Sequence, residues 1–158
     1  MICVWRIGYC QSSEMQSRKI LMSQGFGSTY FDGRWHFKNG RQVIYASSSR
    51  ALCQLEKRVH SHGFDIKNQI LMRLEIPEEA IIFNAKHQGL AEDWIDNEFG
   101  TRSFGNKWLE ENQSLGIWVP SIIEPMENII LINPMHPLFL EINLIVERAP
   151  FVFDSRLF

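Results

Sequence analysis

Cysteine is scarce: Cys3, Cys10 and Cys53 are the only three in 158 residues. They are odd in number and have neither C-x-x-C nor zinc-ligand spacing. Reduced thiols in a cytosolic protein are the plain reading, and nothing at the start resembles a signal peptide, so a cytoplasmic location is expected. No apolar run approaches the roughly 20 residues that a membrane-spanning helix needs. Charge of one sign is also missing, since 16 Lys and Arg stand against 18 Asp and Glu for a net −2. No global field therefore draws the chain to nucleic acid or anionic lipid, and direct binding to either is not expected. Neither GxxxxGK nor GxGxxG before a helix occurs, which excludes the common phosphate loops. His36, His60, His62, His87 and His136 form no HExxH, so no metal is expected. A G-x-S-x-G elbow and the RNA-recognition signatures are absent too.

What is present is an ordinary apolar fraction of 45%, enough for one globular domain spanning 1–158 with a real core. Alternation predicts a strand over 2–8, with Ile2, Val4 and Arg6 on one face. Arg6 is then inward-facing, either anchoring an anion or pairing with an internal carboxylate. The stretch 11–28 shows little periodicity, and the stretch through Phe31-Asp32-Gly33 reads as a loop entering the site. Asn39-Gly40 signals a turn into a buried strand over 42–46. Ser47, Ser48 and Ser49 offer N-caps for a helix to about His60, with Ala51, Leu52, Leu55 and Val59 as its apolar stripe. Further strands are predicted over 69–76, 80–83, 115–119, 128–132 and 141–148, with short helices around Trp94 and over 103–111. The apolar tail is expected to dock. The sum is an α+β fold, mainly antiparallel.

The segment 33–56 carries the candidate chemistry. Arg34, Tyr45 and Glu56 place a cation, an aromatic ring and an anion in three successive elements. Glu56 falls at the margin of the core-facing side, and periodicity permits either an inward carboxylate or a solvated one beside His60. A dinucleotide suits an inward trio. Arginine clamps phosphate through parallel donors, tyrosine stacks on nicotinamide or orients its ribose, and a carboxylate stabilises the cation formed as nicotinamide leaves.

Several motifs in order resemble the RES domain: Gly33-Arg34-Trp35 with Gly40; Val43-Ile44-Tyr45, Ser47, Ser49, Ala51-Leu52 and Leu55-Glu56; Val119-Pro120-Ser121; and Asn133-Pro134 with His136-Pro137. The resemblance runs from Arg6 to 153–156. His36 departs from it, standing where the family pattern has asparagine. The resemblance implies a fold similar to ADP-ribosyltransferase toxins and a toxin that consumes NAD as substrate. The implied bond cleavage lies between nicotinamide and ribose, with water, phosphate or a protein side chain as acceptor. It implies Arg34, Tyr45, Glu56 and Ser121 as the site, with Ser121 placing a hydroxyl near ribose or phosphate and Arg6 as a second contact. Trp35 is expected to pack beneath the loop. An Xre-type helix-turn-helix antitoxin is the implied partner, with homodimerisation plausible within the complex. A noncatalytic NAD- or protein-binding module is the competing class.

Overall fold

A computed structural model describes residues 1–12, 14–62 and 66–158. Among them seven strands form one sheet: β1 (Ile2–Tyr9), β2 (Ile44–Ser47), β3 (Gln69–Ile76), β4 (Ile82–Asn84), β5 (Gly116–Pro120), β6 (Asn128–Ile132) and β7 (Asn143–Arg148), in the order β4-β5-β6-β2-β1-β3-β7. Every pairing is antiparallel except β4 with β5. The protein is thus a mixed α+β fold with an antiparallel-dominant sheet.

Three helices flank the sheet: α1 (Ser17–Ser23), α2 (Arg50–His60) and α3 (Glu98–Glu111). Period-two alternation divides the apolar residues between its faces. Val4, Ile44, Ala46, Met72, Leu74, Ile130, Ile132 and Leu144 pack with Ile20 and Leu21 of α1. Leu52 of α2 and Trp108 and Leu109 of α3 join Ile117, Val119, Ile129 and Leu131 in a second cluster. Ile7, Cys53 and Leu71 form a third, sealed by Phe151 and Phe153 of the docked tail.

One element goes unread and one expectation fails, each for a local reason. The aperiodic 11–28 stretch holds α1, followed by a 3-10 turn at Phe26–Thr29. A seven-residue helix with no side-chain cap and only Ile20 and Leu21 buried offers almost no period to read. The α2 stripe is rotated. Leu52 and Cys53 face the core, while Leu55 is 44% and Val59 55% exposed. The Ser49 cap holds as expected, its hydroxyl accepting from the Leu52 N–H at 3.1 Å. Rotation places Glu56 and Lys57 one turn below Leu52 and Cys53, on the side facing the sheet.

The backbone around Arg34 is held by α3. Arg102 Nε donates to Gly33 O at 2.7 Å and Thr101 Oγ1 to Arg34 O at 2.6 Å. Gly105 lies against Trp35 O so closely that a Cβ there would sit 1.8 Å from that oxygen. Trp35 is 1% exposed and stacks on Trp94 with ring centres 6.0 Å apart. It packs beneath the loop as expected.

Candidate active site

The sheet parts between β1 and β2. β1 pairs with β3 along eight residues but with β2 only at Trp5 and Ser47. Beyond that pair, Arg6 occupies the opening. Its Nη1 donates to Tyr45 O at 2.9 Å, its Nε to Gln24 Oε1 at 2.9 Å and its Nη2 to Gln24 O at 3.3 Å. Gln24 Nε2 in turn donates to Tyr9 O at 3.0 Å. Polar side chains thus replace the missing backbone ladder, since buried carbonyls need donors. Gly8 makes room, because a Cβ there would meet Gln24 Oε1 at 2.1 Å. Arg6 has no carboxylate partner among the described residues; of the two alternatives for it, the internal ion pair is not formed, and neutral acceptors hold it. Burial lowers its guanidinium to about 10, which leaves it cationic at neutral pH.

The opening leads into a cavity of about 330 Å³ lined by Arg6, Arg34, Tyr45, Glu56, Lys57 and His60, among others. Four of the five residues singled out from the sequence therefore share one cavity. The fifth, Ser121, is fully buried and does not line it. Its hydroxyl accepts from the N–H groups of Ile123 and Glu124 at 3.1 and 3.2 Å and donates to Glu56 Oε1 at 2.7 Å. Where the resemblance implies a hydroxyl near ribose or phosphate, the one proton of Ser121 is committed to Glu56. With two N–H groups donating into it, the hydroxyl has a fixed direction, and it holds the carboxylate by one oxygen. Glu56 is half-buried and bonds to Ser121 rather than to His60.

Arg34 is pinned by the 3-10 turn at Trp94–Asp96. Its Nη2 donates to Trp94 O and, at 2.6 Å, to Ile95 O. Its Nε is buried without a hydrogen-bond partner among the described residues. The guanidinium also lies 6.0 Å from the Trp94 ring centre.

Tyr45 is anchored through its hydroxyl, which accepts from Trp35 N–H at 3.2 Å and meets His36 Nδ1 at 2.7 Å. His36 Nε2 faces two carbonyls, Ser28 O at 2.9 Å and Phe31 O at 3.1 Å. Two acceptors at Nε2 require the proton there, so Nδ1 accepts and Tyr45 donates. Burial raises the Tyr45 phenol and lowers the His36 imidazole, and both stay neutral. Tyr45 therefore offers the cavity its ring rather than an acid. Burial likewise pushes the Cys53 thiol up to about 12, so it is no ready nucleophile.

The His36 shift has a measurable sign. Below its ordinary value of 6.5, the unfolded chain takes up a proton at this position that the folded chain resists. Stability is therefore present above 6.5 and is lost as pH falls below it. The thermal midpoint is expected to fall between about pH 7.5 and about pH 5.5, and to fall less in His36→Asn, which cannot titrate. Equal falls in both proteins would remove His36 as the cause.

Sequence reasoning missed Gln24 and Lys57. Gln24 sits just past the unread α1, and Lys57 was hidden by the misplaced stripe.

Among the described residues no group of three His, Cys, Asp or Glu side chains could hold a metal ion. Nor is any helix long and apolar enough to cross a membrane.

The chain is similar to several known proteins. The chain is 35% identical over 136 residues to toxin Res of Yersinia enterocolitica serotype O:8 / biotype 1B, covering 84% of this chain and 88% of that protein. It is 37% identical over 119 residues to the Prs ADP-ribosylating toxin of Sphingobium sp. strain YBL2, covering 72% and 73%. The fold is similar to a chain in the crystal structure of the M. tuberculosis MbcT–MbcA toxin–antitoxin complex. That likeness has a TM-score of 0.63 and 14% identity, over 92% of this chain and 83% of that one. The model of the RES domain matches residues 4–154, and the protein belongs to the RES-domain family, related to proteins named toxin Res.

Proposed function

We propose that the protein is a cytoplasmic toxin, one RES domain over 1–158, that cleaves NAD at the nicotinamide–ribose bond with water as acceptor. The observation that carries this reading is the pairing of a Ser121-held Glu56 carboxylate with Arg6, Arg34 and the Tyr45 ring around one cavity. In the reaction the C1′–N bond breaks and its electron pair neutralises the pyridinium. Water forms the new bond at C1′ and loses a proton. Nicotinamide needs little acid help to leave, so the protein's work is positioning and electrostatics. Tyr45 packs on the nicotinamide end, and Glu56 faces the ribose as positive charge develops there. Arg34 contributes positive charge at the cavity lining. The ADP-ribosyltransferase-toxin likeness of the fold belongs to this same reading. The proposed partner is an Xre-type helix-turn-helix antitoxin covering the cavity, with a homodimer within the complex. DNA binding would lie with that partner.

The test is nicotinamide release from NAD by purified protein, in phosphate-free buffer and then with phosphate. Free ADP-ribose names water as acceptor, and an ADP-ribose phosphate product names phosphate. No release under either condition would sink the hydrolase. A second reading, transfer to a protein, is favoured by the similarity to an ADP-ribosylating toxin, and label transfer from NAD to a protein would identify it. Ser121→Ala separates positioning from contact. Losing one charge-assisted hydrogen bond should lower kcat roughly tenfold with little change in KM. A rise in KM at constant kcat would make Ser121 a substrate contact instead.

A further inference from the structure

Lys57 is the cation that the chemistry above leaves unused. It follows Glu56 on the sheet-facing side of α2 and lines the same cavity beside Arg6. Among the described residues no hydrogen bond or ion pair holds its ammonium. Buried cations ordinarily find a counter-charge. Here two half-buried cations line one cavity and neither bonds to a carboxylate among the described residues: Arg6 donates only to Gln24 and to the Tyr45 carbonyl, and Glu56 is held by Ser121. Burial and the nearby Arg6 lower the Lys57 ammonium to about 8, the direction expected of a cation that lacks its anion. Arg34, the obvious phosphate clamp, spends Nη2 on the carbonyls of Trp94 and Ile95. The anion-sized need is therefore at Lys57. We propose that Lys57, backed by Arg6, forms the subsite for an anionic diphosphate, the pyrophosphate of the bound dinucleotide. The identity of that ligand rests on the NAD reading; the need for a negative group does not.

Calorimetric binding of ADP-ribose, inorganic pyrophosphate and adenosine to wild type, Lys57→Met, Lys57→Gln and Lys57→Arg tests the assignment without requiring turnover. Variants enter the comparison once their thermal midpoints match wild type, and the two neutral substitutions guard against one failing to fold. The neutral variants should bind ADP-ribose about tenfold more weakly, a difference of ~1.4 kcal/mol. Lys57→Arg should keep most of the affinity, and adenosine should bind all four alike. Equal ADP-ribose affinity in wild type and Lys57→Met overturns the subsite, as does an equal loss for adenosine. Wild type that binds neither pyrophosphate nor ADP-ribose also overturns it. Pyrophosphate bound through Lys57 by a protein that releases no nicotinamide upholds the subsite and removes the NAD reading. NAD cleavage with KM unchanged in Lys57→Met does the reverse.

Discussion

Glu56→Gln should lower nicotinamide release by roughly 10²- to 10³-fold, the usual effect of removing one preorganised group aimed at developing charge. Glutamine keeps the volume of glutamate, and its side-chain oxygen can still accept the Ser121 hydroxyl that now holds Glu56 at 2.7 Å. What disappears is the negative charge that the proposed reaction places against the ribose, so the loss should fall on kcat more than on KM. Stability should change little, because the Ser121 hydrogen bond has an acceptor in both proteins. In cells, expression of wild type should slow growth and expression of folded Glu56→Gln should not. A folded variant with near-wild-type release or undiminished toxicity would remove Glu56 from the chemistry. Release lost together with the fold would say nothing about charge, so a melting curve accompanies the assay.

Gly105→Ala should be the most damaging single-methyl change in the molecule. The added Cβ would lie 1.8 Å from Trp35 O and 2.9 Å from Trp35 C, which are backbone atoms with no rotamer to escape through. Either α3 or the 33–36 backbone must move. Overpacking of this kind costs about 3 kcal/mol, and in a chain of this size that lowers Tm by roughly 6–12 °C. The damage should also reach the site. The backbone that must give way carries Arg34, the Trp35 N–H bonded to the Tyr45 hydroxyl and the His36 ring bonded to that same hydroxyl. Activity measured well below the melting transition should therefore fall as well. An alanine variant that melts and turns over like wild type would show that α3 yields freely and does not brace the loop.

The strands were the most legible part of the chain. In 69–76 and 128–132 the apolar residues alternate or run unbroken between polar boundaries, and β3 and β6 occupy those spans. α3 was recognised only in its second half because Gly100 and Gly105 weaken helix propensity. Asn97 nevertheless caps it, accepting from the Gly100 N–H at 2.8 Å. At the site, Arg34, Tyr45 and Glu56 could be picked out because their residue types suit one ligand. Which way each side chain is spent could not be read, since that depends on contacts far apart in sequence. Ser121 meets Glu56 across 65 positions, and Arg34 meets Ile95 across 61. The rotation of α2 shows the same limit at short range. Leu55 and Val59 fit an apolar stripe as well as Leu52 and Cys53 do, and only the sheet beneath decides between them.

The polar filling between β1 and β2 also constrains how this sequence can drift. Arg6, Gly8, Gln24 and the Tyr45 carbonyl are mutually dependent. Losing Arg6 strands the Tyr45 oxygen and Gln24, a side chain at position 8 evicts Gln24, and losing Gln24 uncovers Tyr9 O. An apolar replacement at any one position is therefore penalised until the others change, while a complete β1–β2 ladder would close the cavity. Descendants of this chain should exchange these residues as a set or keep them together, and pairwise epistasis among positions 6, 8 and 24 should exceed that among equally buried apolar positions.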